Sequence, residues 1–248
     1  KAVLIALVNP YAGGLLIGGR KGTAKSTLVR AAQELVAPRK IIDLPLNVTE
    51  DMLFGSIDIE YAVSKGERRF LPGILGRANG NVLYIDEANL LRQELLTAVL
   101  DANSAGFNHV ERDGISFTHE TNYTVIGTMN PEEGDIRPQL LDRFGLSVVV
   151  TGEHDPAQRV EVIKRRLAYE DNADEFIASY QEEQEALADK IIKAREALPN
   201  VTISDELLET VAKLAVELGV DGHRADITVI KTALTMAAFS EHKEVEMS

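Results

Sequence analysis

The sequence predicts an α/β fold: a parallel sheet with crossover helices and inserted hairpins, followed by an all-helical segment. Three observations predict it. Short apolar runs alternate with helical patterns through the first part of the chain, as βαβ units require. One of these runs, Leu15-Leu16-Ile17, enters a glycine-rich loop, Gly18 to Ala24, that opens a helix. From about Asp155 the strand-like runs stop and only helical spacing remains.

Taken in order, Leu15–Ile17 reads as a buried strand, and Thr27–Leu35 has helical composition. Ile41–Leu46, Val82–Ile85, Tyr123–Gly127 and Leu146–Val150 read as further strands. Asn89–Ala102 predicts a helix with Leu90, Leu91, Leu95, Val99 and Leu100 on its apolar side. Phe107–Thr118 predicts a hairpin, because Asp113-Gly114 is a type I′ turn signal between β-forming residues. Ser56–Phe70 reads as a weaker hairpin turning at Lys65-Gly66. Phe176–Leu198 predicts one long helix, and Ser204–Gly219 another. In the latter, Ser204 is the N-cap and Gly219 the stop, with Leu207, Val211, Leu214 and Leu218 as a buried stripe.

Composition narrows the function classes. The 248 residues are 45% hydrophobic and 26% charged, an ordinary globular balance. No apolar run approaches the roughly 20 residues that cross a bilayer, so no membrane-spanning helix is expected. Lys1–Pro10 runs straight into the glycine-rich loop and reads as domain rather than signal peptide. There are no cysteines, which excludes disulfides and thiolate metal sites and fits a reducing cytoplasm, the expected location. The net charge of −13 argues against a broad nucleic-acid grip, which needs a basic excess. The five histidines show no paired metal-ligand spacing.

The chemistry concentrates in four places. Gly19-Arg20-Lys21-Gly22-Thr23-Ala24-Lys25-Ser26 has what a phosphate-binding loop needs. Small residues let backbone N–H groups close round phosphate oxygens, a lysine meets the β- and γ-phosphates, and a hydroxyl meets Mg²⁺. Ala24 stands where the motif has its second glycine; its methyl is tolerable at negative φ and costly otherwise. Val82–Glu87 is an apolar strand ending in two carboxylates. Asp86 can hold Mg²⁺ and Glu87 can polarise an attacking water, although two acids also suit the start of a helix. In Gly127–Pro131, Asn130 can orient that water, or simply make an Asn-Pro turn. Arg143, and Arg224 at the start of the last helix, are candidates to offset transition-state charge, or surface ion-pair partners. The candidate catalytic residues are thus Glu87, Asn130, Arg143 and Arg224. The candidate ATP-binding residues are Gly19, Gly22, Thr23, Ala24, Lys25, Ser26 and Thr27, with Ser26 and Asp86 the candidate Mg²⁺ ligands.

With these residues in hand, the chain resembles the AAA+ ATPases and, among them, the I subunits of magnesium chelatase. The resemblance is carried by Asp43–Asp51, Leu53–Glu60, Phe70–Leu75, Leu83–Leu91 and Asn130–Gly145, and extends through Arg159–Tyr169, Ala194–Leu198 and Gly222–Ala238. It implies an AAA+ P-loop core over residues 1–152 and a helical lid over 153–248. It also implies a hairpin insert at Thr49–Leu75 and a ring, taken as a hexamer. It gives Asn130 the role of first sensor, Arg143 that of a finger acting on a neighbouring subunit, and Arg224 that of second sensor. The implied partners are a D-type subunit with an integrin-like metal-adhesion domain and a large tetrapyrrole-binding subunit, where Mg²⁺ or Co²⁺ would be inserted. Three other readings stay open: a remodelling ATPase with a different protein client, a nucleic-acid translocase, and a non-hydrolysing scaffold. The −13 charge weighs against the translocase, and the intact Lys25, Asp86, Glu87 and Asn130 against the scaffold.

Overall fold

The computed structural model describes residues 1–112 and 115–246. It opens with helix α1 (Ala2–Val8), a 3₁₀ turn at Pro10–Ala12, strand β1 (Leu15–Gly19) and helix α2 (Lys25–Ala31). Strand β2 (Ile41–Asp43) leads into an insert: α3 (Glu50–Phe54), β3 (Gly55–Ile57), α4 (Ile59–Lys65) and β4 (Phe70–Pro72). Then come α5 (Ile74–Ala78), β5 (Val82–Ile85), α6 (Gln93–Ala105) and the hairpin of β6 (Phe107–Arg112) and β7 (Ile115–Glu120). Strand β8 (Thr124–Met129), helix α7 (Pro138–Leu141) and β9 (Leu146–Val150) complete the α/β part. The rest is helical: α8 (Pro156–Asp171), α9 (Ala173–Ser179), α10 (Gln181–Ala197), α11 (Asp205–Glu217) and α12 (Arg224–Phe239).

The main sheet has the order β2-β5-β8-β1-β9, with every pairing parallel. A parallel sheet is covered on both faces, so its strands are continuous apolar runs. β1, β5 and β8 are buried at every residue. This arrangement, with its hairpins and helical C-terminal part, is the one the sequence predicts. Register carries the ends of β5 and β8 to one level, Ile85 opposite Gly127. Gly13, Gly14 and Gly145 allow the chain to fold back at the base of β1, where Gly145 donates its N–H to the Gly13 carbonyl at 2.9 Å. A Cβ on Gly145 would lie 1.8 Å from the Ala12 carbonyl oxygen, so no side chain fits.

One buried cluster lies between the sheet and α5 and α6; the other joins the opposite face to α1 and α2. The second cluster includes Ile191, Ala194 and Ala238 from α10 and α12. A buried hydrogen bond of 2.9 Å from Asn9 Nδ2 to Thr235 Oγ1 spans the same seam. The two inserts touch as well, through stacked rings of Phe70 and Phe117 with centroids 4.2 Å apart.

Four expectations need correction. Ser56–Phe70 is not two extended runs turning at Lys65-Gly66, because α4 lies between β3 and β4. Asp58 caps that helix through Tyr61 N–H, and Gly66 ends it at φ +72°. The same left-handed glycine serves a hairpin turn and a helix stop, and here it is the stop. The long helix over Phe176–Leu198 breaks at Tyr180 (φ −108°, ψ 2°) into α9 and α10. Helix α6 starts at Gln93 rather than Asn89, because residues 86–90 are taken up by turns beside β8. The stripe on α11 is not buried: Leu214 is 51% exposed and Leu218 77%, and Val216 beside them is 81% exposed. Ser204 does cap that helix, accepting from Leu207 N–H at 3.3 Å. The Asp113-Gly114 turn lies outside the described residues, and β6 and β7 on either side pair antiparallel.

Candidate functional site

The loop after β1 is a closed structure held by its own groups. Gly19 ends the strand, and a Cβ there would lie 2.5 Å from the Val150 carbonyl. Thr23 Oγ1 donates to the Arg20 carbonyl at 2.8 Å. Lys25 Nζ donates to the carbonyls of Gly19 at 2.6 Å and Arg20 at 2.8 Å, which curls the lysine over the loop. Gly22 has φ +83°. Ala24 caps α2 at φ +57°, ψ 23°, so the motif's alanine takes the left-handed conformation that a methyl disfavours. The first turn of α2 therefore opens toward the loop with free amide groups, as an anion site at a helix start does.

Opposite the loop lie the ends of β5 and β8. Asp86 Oδ1 accepts from Ser26 Oγ at 3.0 Å and from Thr128 Oγ1 at 2.7 Å. Burial pushes the Asp86 carboxyl up. Hydrogen bonds from Thr128, Tyr84 and Ser26, with the nearby charge of Arg30, outweigh it and hold the group below the usual carboxylate range. Burial raises the Tyr84 phenol, which keeps it a neutral donor. Glu87 turns away from the strand at φ +56°. Asn130 is buried; its Oδ1 accepts from Glu132 N–H at 3.2 Å, and its carbonyl accepts from Asn89 Nδ2 at 3.2 Å. It therefore makes the Asn-Pro turn and still faces the cavity.

These groups share a cavity of about 260 Å³, lined by Gly22, Thr23, Ala24, Lys25, Ser26, Thr27, Asp86, Glu87, Thr128 and Asn130, among others. Gly19 stands behind it and supplies the carbonyl that holds Lys25. Arg143 and Arg224 do not line it. Arg143 is paired with Asp101 of α6, and Arg224 Nη1 lies 3.3 Å from both the carboxylate and the carbonyl of Asp142. Both arginines therefore make the surface ion pairs that were the alternative to a role in the site. The sequence reading gave no role to Thr128, Met129 or Glu133, which line the cavity, or to Tyr84, whose hydroxyl lies 3.4 Å from that of Thr128. Alternation along a strand puts Thr128 on the same side as Asn130, and that signal was available.

Comparison with known proteins agrees with this geometry. Residues 14–144 match the AAA domain of the dynein-related subfamily, and residues 208–248 match an AAA lid domain. A magnesium-chelatase subunit ChlI homolog of Methanocaldococcus jannaschii is 43% identical, over 97% of this chain and 76% of its own length. The chain belongs to the magnesium-chelatase I-subunit family of AAA+ ATPases. Among these AAA+ relatives, the magnesium-chelatase 38 kDa subunit of Chlorobaculum tepidum is 37% identical over 99% of this chain and 73% of its own. An uncharacterized protein of Mycobacterium tuberculosis is 47% identical over 99% of this chain, which spans 40% of that protein. Among solved structures, a complex of the magnesium chelatase subunits BchI and BchD contains a chain 36% identical. That match covers 100% of this chain and 92% of the other, with a TM-score of 0.57. The AAA domain match implies ATP binding. Among the described residues, no helix is long and apolar enough to cross a membrane.

Proposed function

We propose that this AAA+ chain hydrolyses ATP with Mg²⁺ as the ring-forming motor of a chelatase-type complex that inserts Mg²⁺ or Co²⁺ into a tetrapyrrole. The observation that carries the ATPase reading is the single cavity shared by Lys25, Ser26, Asp86, Glu87 and Asn130. Two hard oxygen donors face each other there, Ser26 Oγ and Asp86 Oδ1, a donor set that suits Mg²⁺. When bound, that ion would neutralise charge developing on the phosphates. In this reading the amides of residues 22–27 cradle the phosphates and Lys25 leaves its loop carbonyls to meet them. Glu87 takes up the proton of the attacking water, and Asn130 orients it.

Arg143 acts on the neighbouring subunit's γ-phosphate. Its position outside its own cavity, on the far side toward α6, favours action in trans over action in cis. Residues 1–152 form the nucleotide core and 153–248 the lid, which Arg224 couples to the site. The partners are further copies in a hexameric ring, a D-type subunit with a metal-adhesion domain, and a large tetrapyrrole-binding subunit. A second reading, a remodelling ATPase with a different protein client, stays open because one relative at 47% identity carries no assigned role.

The test is steady-state ATPase activity against protein concentration, with mixtures of Glu87→Gln and Arg143→Ala chains. Specific activity that rises with concentration, and activity regained in mixtures of the two inactive variants, are expected of a shared site. Activity independent of concentration, with Arg143→Ala unaffected, refutes the ring mechanism and leaves a chain that works alone.

A further inference from the structure

Ile85 is paired with Gly127, so the next step along both strands brings Asp86 level with Thr128. Thr128 is 1% exposed. Its hydroxyl proton goes to Asp86 Oδ1 at 2.7 Å. The same oxygen accepts the Glu87 N–H at 3.2 Å and lies 3.4 Å from Tyr84 Oη. A threonine hydroxyl has one proton and two lone pairs: the proton goes to Asp86, one lone pair takes the Glu87 N–H, and the Tyr84 hydroxyl lies at the edge of hydrogen-bond distance. The Thr128 carbonyl takes the Ala88 N–H at 2.7 Å. One residue of β8 thus holds Asp86, Glu87 and Ala88.

That grip explains the backbone of Glu87. A glutamate at φ +56° is in the left-handed region, which persists only where surrounding bonds over-determine it. Here the amides of Glu87 and Ala88 are both fastened to Thr128, one to its hydroxyl and one to its carbonyl. The hydroxyl therefore has two effects at once: it turns the Asp86 carboxylate and fixes the bend that presents Glu87.

We propose that Thr128 is the positioning residue of the hydrolytic centre, acting through Asp86 and Glu87 without touching the nucleotide's reacting atoms itself. The inference rests on the ATPase reading. Valine keeps the branched shape but leaves the Glu87 N–H without its acceptor and Asp86 without its shortest donor. Serine keeps the hydroxyl and loses only the methyl.

The experiment compares wild type, Thr128→Val and Thr128→Ser in two assays. One is kcat and KM for ATP. The other is the affinity for a fluorescent ADP analogue with Mg²⁺ and with EDTA, which needs no turnover. For Thr128→Val, kcat falls about 30- to 100-fold while KM stays within about threefold, and the Mg²⁺-dependent gain in ADP affinity drops about tenfold. Affinity in EDTA is unchanged, which shows that the phosphate loop is folded. Thr128→Ser stays within about threefold of wild type throughout. Valine that turns over within about twofold of wild type, or serine as impaired as valine, overturns the proposal. If valine does not fold, Thr128→Ala takes its place with the same readouts; if neither folds, the hydroxyl is structural and the proposal fails. A wild type that hydrolyses no ATP refutes the ATPase reading instead, and the ADP affinity ratio then decides this inference alone.

Discussion

Replacing Ala24 by glycine tests whether the phosphate loop stores strain. Ala24 has φ +57° and ψ 23° and is exposed, so removing its methyl opens no cavity and loses no buried area. A residue with a Cβ in this region carries about 1–2 kcal/mol of strain, which glycine relieves. Glycine also gives the unfolded chain more freedom, worth about 0.4–1 kcal/mol in the opposite direction. Ala24 is in addition the N-cap of α2 with no side-chain bond to give, a position where glycine is preferred to alanine. The terms sum to a net stabilisation of about 0.5–1 kcal/mol, or about 1–4 °C in Tm for a chain of this size. Urea and thermal unfolding without nucleotide read this directly. A Tm lowered by Ala24→Gly refutes the reasoning, because it means the loop does not hold this residue left-handed in solution.

The remaining predictions concern the site and its surroundings. Glu87→Gln lowers kcat by about 100-fold or more while ATP affinity in a binding assay stays within about threefold. In Mg²⁺-free protein, the depressed Asp86 carboxyl contributes stability that is fully present above its unfolded value of about 3.9. That contribution is lost as pH falls through the lower folded value, so the stability gap between wild type and Asp86→Asn is flat from about pH 7 to 5 and closes below about pH 4. Urea unfolding across pH checks this; a gap that widens in acid contradicts the sign. Gly145→Ala forces a Cβ into the Ala12 carbonyl and destabilises by about 3 kcal/mol or more, seen as a collapse of the unfolding midpoint. Leu214→Glu with Leu218→Glu, an exposed pair four residues apart at the end of α11, changes chain stability by about 0.5 kcal/mol at most, and weakens assembly of the proposed ring in sedimentation velocity. Assembly identical to wild type would remove that face from the ring contact.

The parts of this molecule that could be read in the sequence are those whose physics is local. The phosphate loop is a contiguous string, and the carboxylate pair ends an apolar run, so each declares itself within eight residues. Strands β1, β5 and β8 were visible because full burial demands unbroken apolar runs. Alternation with Asn130 shows which side Thr128 faces, but its hold on Asp86 and Glu87 is not legible, because it comes from the register of β8 against β5, and nothing near it in the chain states that register. Helix α4 was misread because Gly66 carries the same backbone signal for two different structures. The α11 stripe was misread for another reason. Leu214 and Leu218 repeat as a core stripe does, yet spacing shows only that a face is apolar, not that something within the chain covers it.

The seam at the back of the sheet limits how this protein can move. Ile191, Ala194 and Ala238 are sunk in the same cluster as β1 and β5, and Asn9 is bonded to Thr235 within it. A swing of the entire C-terminal part would tear that cluster open to water. Helices α8, α9 and α11 have no buried residue at all, and Arg224 sits at the end of α12 farthest from Thr235 and Ala238. The C-terminal part is therefore hung like a door whose rear edge is set into the wall. Motion of the C-terminal part is confined to the free edge, as a flexing of the outer helices against a fixed jamb.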